Sequence, residues 1–175
     1  MAITSITVAN TDHFAKGGIK QIQIAAPDTS SAATDAGDGS VTSFQIAGSG
    51  VATFDFEKET AKMTVSATQE KGLMLYTTSI EFYVPKMDAA KLKAVQNLVG
   101  VQALADVTTY DGARYMVGYD FILKNSDLGA DTEPTDFGLV LESVEADTGA
   151  ALADQNGFTL KLTAVTAHPP YVIAS

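Results

Sequence analysis

Along much of the chain, apolar and polar residues alternate with a period of two, the pattern of half-buried β-strands. Residues 19–25 set Ile22 and Ile24 on one side against Gln21 and Gln23 on the other. Residues 62–69 oppose Met63, Val65 and Ala67 to Thr64, Ser66 and Thr68, which predicts an antiparallel sheet with one wet, hydroxyl-rich side. Such a side is either solvated surface or the lining of a polar channel. Residues 41–47 and 51–56 also read as strands, and Gly48-Ser49-Gly50 between them predicts a hairpin or a bulged strand. Residues 137–146 return to strand character, and 157–167 put Phe158, Leu160, Leu162, Ala164 and Thr166 on one face. Residues 3–8 fit a short strand or a flexible arm.

The stretch 73–119 organises the rest. Its first thirteen residues are too rich in β-branched and aromatic side chains for a loop, with Met74, Tyr76, Thr78, Ile80, Phe82 and Val84 on the side assigned to the core. Leu75, Thr77, Ser79 and Glu81 fall on the other. Pro85 removes a ladder donor, and Asp88 is a suitable N-cap for a helix starting near Ala89, with Met87 placed to staple onto Leu92. Leu92, Val95 and Val99 form its apolar stripe, and Gly100 is suited to end it. After the helix, Asp111-Gly112 predicts a hairpin turn between a strand containing Asp106 and Thr108 and one beginning at Arg114. Gly118 interrupts that second strand as a bulge or as a close approach of another backbone, the bulge being the simpler reading.

Between these elements lie segments with too few large apolar residues to be fixed by burial: an N-terminal arm, 1–18, and loops at 26–40 and 125–136. Pro169-Pro170 ends the last strand and leaves a short tail. The expected architecture is one mainly β domain spanning 1–175, an antiparallel β-sandwich or barrel with one flanking α-helix.

Composition narrows the function. The 175 residues carry 46% hydrophobic and only 18% charged side chains, which suggests surfaces covered by partners. A formal charge of −10 argues against binding nucleic acid by phosphate neutralisation, although an acidic wall guides DNA by repulsion. With no cysteine, thiol chemistry and disulfides are excluded. The two histidines, His13 and His168, supply little imidazole for a triad or zinc site, and each is expected at the surface or in the tail. Asp35 and Asp38 lie among glycines as in a calcium loop but lack the EF-hand spacing and its closing glutamate. Strand and loop acids such as Asp106, Asp111 and Glu142 are expected to be solvated. No catalytic, cofactor or metal site is expected, and neither a signal peptide nor a membrane-spanning run is evident.

The run from Leu75 to Val84, the helix from Lys86 to Leu98, and Leu104-Ala-Asp-Val-Thr-Thr-Tyr-Asp-Gly-Ala-Arg-Tyr-Met-Val-Gly118 together resemble the tail tube proteins of long-tailed bacteriophages and related tail proteins of phages of Bacteroidetes-type hosts. The resemblance implies a virion protein, made in the host cytoplasm, that forms hexameric rings stacked into a hollow tail tube. Its partners would be other copies of itself and the tape measure, terminator and baseplate or tip proteins, with double-stranded DNA passing through the lumen unbound. Leu75, Thr77, Ser79, Glu81, Asp106, Thr108, Asp111 and Arg114 are then candidates for lumen-lining or inter-subunit strands. Ile3, Ile6, Phe14, Asp35, Asp38, Asp127 and Asp131 are candidates for contacts between rings, while Met87, Leu92, Val95 and Val99 anchor the helix to the core. The alternatives are another virion component, such as a neck, terminator or decoration protein, and a ligand-binding or adhesin β-sandwich.

Overall fold

A computed structural model describes residues 17–25, 32–35, 40–45, 52–118, 138–149 and 156–173. In chain order these form β1 (Ile19–Ala25), β2 (Ala32–Asp35), β3 (Ser40–Gln45), β4 (Ala52–Phe54), β5 (Lys62–Glu70), β6 (Leu73–Pro85), α1 (Ala89–Leu98), β7 (Leu104–Thr109), β8 (Arg114–Val117), β9 (Val140–Asp147), β10 (Gly157–Thr166) and β11 (Tyr171–Ile173). Among the described residues the strands make two sheets: seven strands in the order β2-β3-β11-β8-β7-β1-β4, and four in the order β5-β6-β10-β9. The fold is mainly β with a flanking helix, as the alternation predicts. All pairings are antiparallel except that of β11 with β3, which is parallel.

The two sheets face each other across one core. Ile22 and Ile24 of β1, Ala105 and Val107 of β7 and Val117 of β8 meet Ile80, Phe82 and Val84 of β6 and Phe158, Leu160, Leu162 and Ala164 of β10. Phe54 and Phe56 each place a ring 5.8 Å from that of Phe82, which is fully buried. Mutual backbone hydrogen bonds between Ala103 and Leu139, 2.7 and 2.8 Å, tie the starts of β7 and β9 together where the sheets meet.

Helix α1 carries the chain from β6 in one sheet to β7 in the other. Asp88 caps it, its Oδ1 accepting from the Lys91 amide at 2.9 Å. The expected apolar stripe is corrected, however. Met87 and Val95 pack on the core together with Leu98, whereas Leu92 is 52% and Val99 66% exposed. The contact row steps three positions from Val95 to Leu98 rather than four to Val99, so it follows the other ridge of the helix. The Lys91 ammonium donates to the carbonyls of Pro85 and Lys86, so this side chain folds back over the N-terminal turn rather than facing outward.

Four further expectations change. The segment 26–40 is not wholly loop, because β2 lies within it and pairs with β3 through a backbone ladder, although Ala and Asp are poor strand formers. β3 and β4 form no hairpin but sit towards opposite ends of the seven-stranded sheet, β4 pairing with β1. The tail after Pro170 is strand β11, inserted between β3 and β8 with Ile173 buried. Gly118 is a close approach rather than a bulge: its φ is +123°, and a Cβ there would lie 2.9 Å from the Ala103 carbonyl oxygen.

Substitution at Phe82 and at Leu92 separates the two kinds of helix and strand position. Phe82→Ala should cost about 3–5 kcal/mol in chemical denaturation, the usual range for a buried aromatic, whereas Leu92→Ala should stay within about 0.5 kcal/mol, as for an exposed site. A large loss for Leu92→Ala would restore the stripe expected from sequence.

Candidate functional site

The four-stranded sheet has one face on the core and one facing away. Register places Lys62, Thr64, Ser66 and Thr68 of β5 on the outward face beside Leu75, Thr77, Ser79 and Glu81 of β6. Thr159, Lys161 and Thr163 of β10 continue it, followed by Ser143 and Glu145 of β9. The hydroxyl-rich pattern of residues 62–69 is therefore shared by neighbouring strands, and it forms a polar surface across the sheet.

Hydrogen bonds knit this surface together. Ser79 and Thr163 hydroxyls lie 3.3 Å apart, and Thr163 donates to Glu142, whose other carboxylate oxygen accepts from Lys161 at 2.8 Å. Lys62 pairs with Glu81 at 3.3 Å. The Lys161 ammonium, then the Thr163 hydroxyl, hold the Glu142 carboxyl below its ordinary value, against a small opposing effect of burial. A β-bulge between Lys161 and Leu162 inserts Glu142 as the extra residue of β9, and its side chain turns to the outward face.

The strands of this sheet outrun the core. Thr166 of β10 ends opposite Tyr76, so Leu73 to Leu75 pair only with β5. Met74, assigned to the core by alternation, is 42% exposed, and Tyr76 is half-buried, because nothing of the described opposite sheet reaches them. β5 is exposed along almost its whole length, Val65 included at 45%. Among the described residues, nothing pairs with the free edge of β5 or of β9.

The eight residues expected on lumen-lining or inter-subunit strands do not share one surface. Leu75, Thr77, Ser79 and Glu81 lie together on the outward face of the four-stranded sheet. Asp106, Thr108 and Arg114 lie on the far face of the seven-stranded sheet, pointing the opposite way. There Asp106 is buried beside Leu104 and Met116, and the Arg114 guanidinium donates to its Oδ2. Expected to be solvated, Asp106 is instead a buried partner in an ion pair; among the described residues its Oδ1 has no hydrogen-bond partner. Asp111 is exposed and builds its own turn. Its Oδ1 accepts from the Thr109 hydroxyl and from the Ala113 amide at 3.3 Å, and these bonds lower its carboxyl from the ordinary value. Of the expected ring-to-ring contacts, Ile3, Ile6, Phe14, Asp38, Asp127 and Asp131 lie outside the described residues, as do His13, the arm 1–16 and the loop 125–136. Asp35 ends β2 opposite Val41.

Elsewhere the surface offers little chemistry. One open depression is lined by Lys20, Thr53, Phe56, Lys58 and Tyr110, another between α1 and β1 by Ile24, Ala52, Phe54, Ala94 and Leu98. Neither is lined by a histidine or by two carboxylates. Among the described residues no group of three or more metal-binding side chains converges, and no helix is long and apolar enough to cross a membrane. His168 is half-buried, its ring 4.3 Å from that of Tyr171. Comparison with protein-family models, curated proteins and solved structures finds no match to this chain.

The lowered carboxyls set the acid response. A depressed pKa contributes stability that is present above the group's unfolded pKa and lost as pH falls through the folded one. NMR titration should place Glu142 and Asp111 below the ordinary Glu and Asp values, and Lys161→Met should return Glu142 towards its own while leaving Asp111 unmoved. A Glu142 titration unchanged by Lys161→Met would show the ion pair to be absent in solution.

Proposed function

We propose that this protein is a structural subunit that self-assembles into rings, and that the rings stack into the tail tube of a long-tailed phage, a conduit through which the genome passes. The observation that carries this reading is the four-stranded sheet with, among the described residues, two open edges and a polar outward face. Its strands alternate in direction, so β5 and β9 run opposite ways. A second copy set beside the first, head to tail, would present its β9 antiparallel to β5, and repetition about an axis would close the sheets into a barrel in which each β5 edge meets a β9 edge.

The seven-stranded sheet lies on one side of that wall and must take the larger radius. The hydroxyl face would then line the bore. On that face Lys62 and Lys161 are each matched by a glutamate, while Glu145 and Asp147 add negative charge, so among the described residues these strands would bring no unmatched cation to the lining to bind DNA phosphates. Hydroxyls and matched charges make a surface past which a polyanion slides. The likeness of residues 75–118 to tail tube proteins points to the same assembly, with six subunits to the ring.

Negative-stain microscopy of the purified protein should show annular particles or tubes with a central hole. A monodisperse monomer at high concentration, with no rings on the grid, would overturn the proposal.

A further inference from the structure

At one level of the four-stranded sheet the outward side chains form a row of alternating charge. Glu81 of β6 stands opposite Lys62 of β5 and opposite Lys161 of β10 in the strand register, and Lys161 contacts Glu142 of β9. The row therefore reads positive, negative, positive, negative across the sheet, and it ends with opposite signs on the two open edges. Both end groups keep room for another partner. The Lys62 side chain is 63% and that of Glu142 45% exposed, and an ammonium and a carboxylate each offer more hydrogen-bonding positions than one ion pair uses.

An edge such as β5 does not fix its own register. Thr64, Ser66 and Thr68 repeat along its outward side with little to tell one offset from the next, and a strand without a distinctive buried pattern slips readily. Something else must choose the offset. We propose that neighbouring copies pair the start of β5 against the start of β9, Lys62–Thr64 of one copy beside Val140–Glu142 of the next, in the antiparallel register that sets Lys62 against Glu142 and closes the four-residue row into a continuous belt of alternating charge. The inference rests on the ring reading above and adds its register and the residues that select it. The bulge in β9 fits this role, because it delivers Glu142 to the face that carries Lys62 and Lys161.

The register also sets Thr64 of one copy against Val140 of the next, which allows a test that leaves Lys62 and Glu142 in place. The chain has no cysteine, so Thr64→Cys with Val140→Cys introduces a unique pair. Within one copy these positions are three strand spacings apart, about 14 Å, beyond the roughly 7 Å Cα separation that a disulfide tolerates. A bond must therefore join two copies. Mild oxidation of the assembled protein should give a ladder of covalent oligomers on non-reducing gels, whereas Thr68→Cys with Val140→Cys should give none. Adding Lys62→Glu should suppress the ladder at least several-fold, and adding Glu142→Lys to that variant should restore it. Rings seen by microscopy without a covalent link between positions 64 and 140, or with a link at position 68, would overturn this register while leaving the ring reading intact. A ladder indifferent to charge reversal would overturn the ion pair as its determinant, and the absence of any ring would overturn both readings.

Discussion

An edge strand exposes a row of unpaired backbone N–H and C=O groups, and a protein must cover it, blunt it or use it. This constraint bears hardest on the four-stranded sheet. β5 is nine residues long and carries charge only at its ends, with no proline and no bulge to deter pairing. β9 is bulged and acidic, yet its described edge is also open. A monomer built this way would carry a standing risk of aggregation, whereas a closed ring turns the same two edges into its joints.

The remaining architecture makes that wall rigid enough to repeat. Ten successive pairs join β6 to β10, and Phe82, Leu160 and Leu162 from these two strands fill the centre of the core. The seven-stranded sheet backs it, and α1 bridges the sheets through Met87, Val95 and Leu98. The fold thus divides labour between a sheet that packs and a sheet that presents its polar side. The Asp106–Arg114 pair belongs to the packing sheet: Asp106 is buried and Arg114 partly exposed, so removing Arg114 would strand a buried carboxylate, and the pair joins β7 to β8 across their hairpin.

Much of this was legible in sequence where one physical rule dominates. Strict alternation located β1, β5, β6 and β10, Asp88 and Asp111 announced the helix cap and the hairpin, and hydroxyls at every second residue marked the polar face. What was not legible depended on partners distant in the chain. Alternation says that Met74 and Phe82 share a face, but not that Phe82 is buried while Met74 stays 42% exposed among the described residues. A helix wheel cannot choose between Leu98 and Val99 when both border the apolar side. β2 and β11 are short, and they exist because β3 and β8 offer ladders, which no local propensity records. Whether Asp106 and Glu81 face the same way is likewise a matter of sheet membership, which the alternation of a single strand does not record.

The central claim is that the free edge of β5 becomes paired on assembly, and its backbone amides report on this directly. Hydrogen–deuterium exchange across residues 62–70 should be fast for the edge-facing amides of the monomer, and on assembly those of residues 62–64 should be strongly slowed, with residues 140–142 slowed in parallel. Exchange in both segments that stays as fast after assembly as before would contradict the account, because subunits would then be joined through surfaces other than the sheet edges.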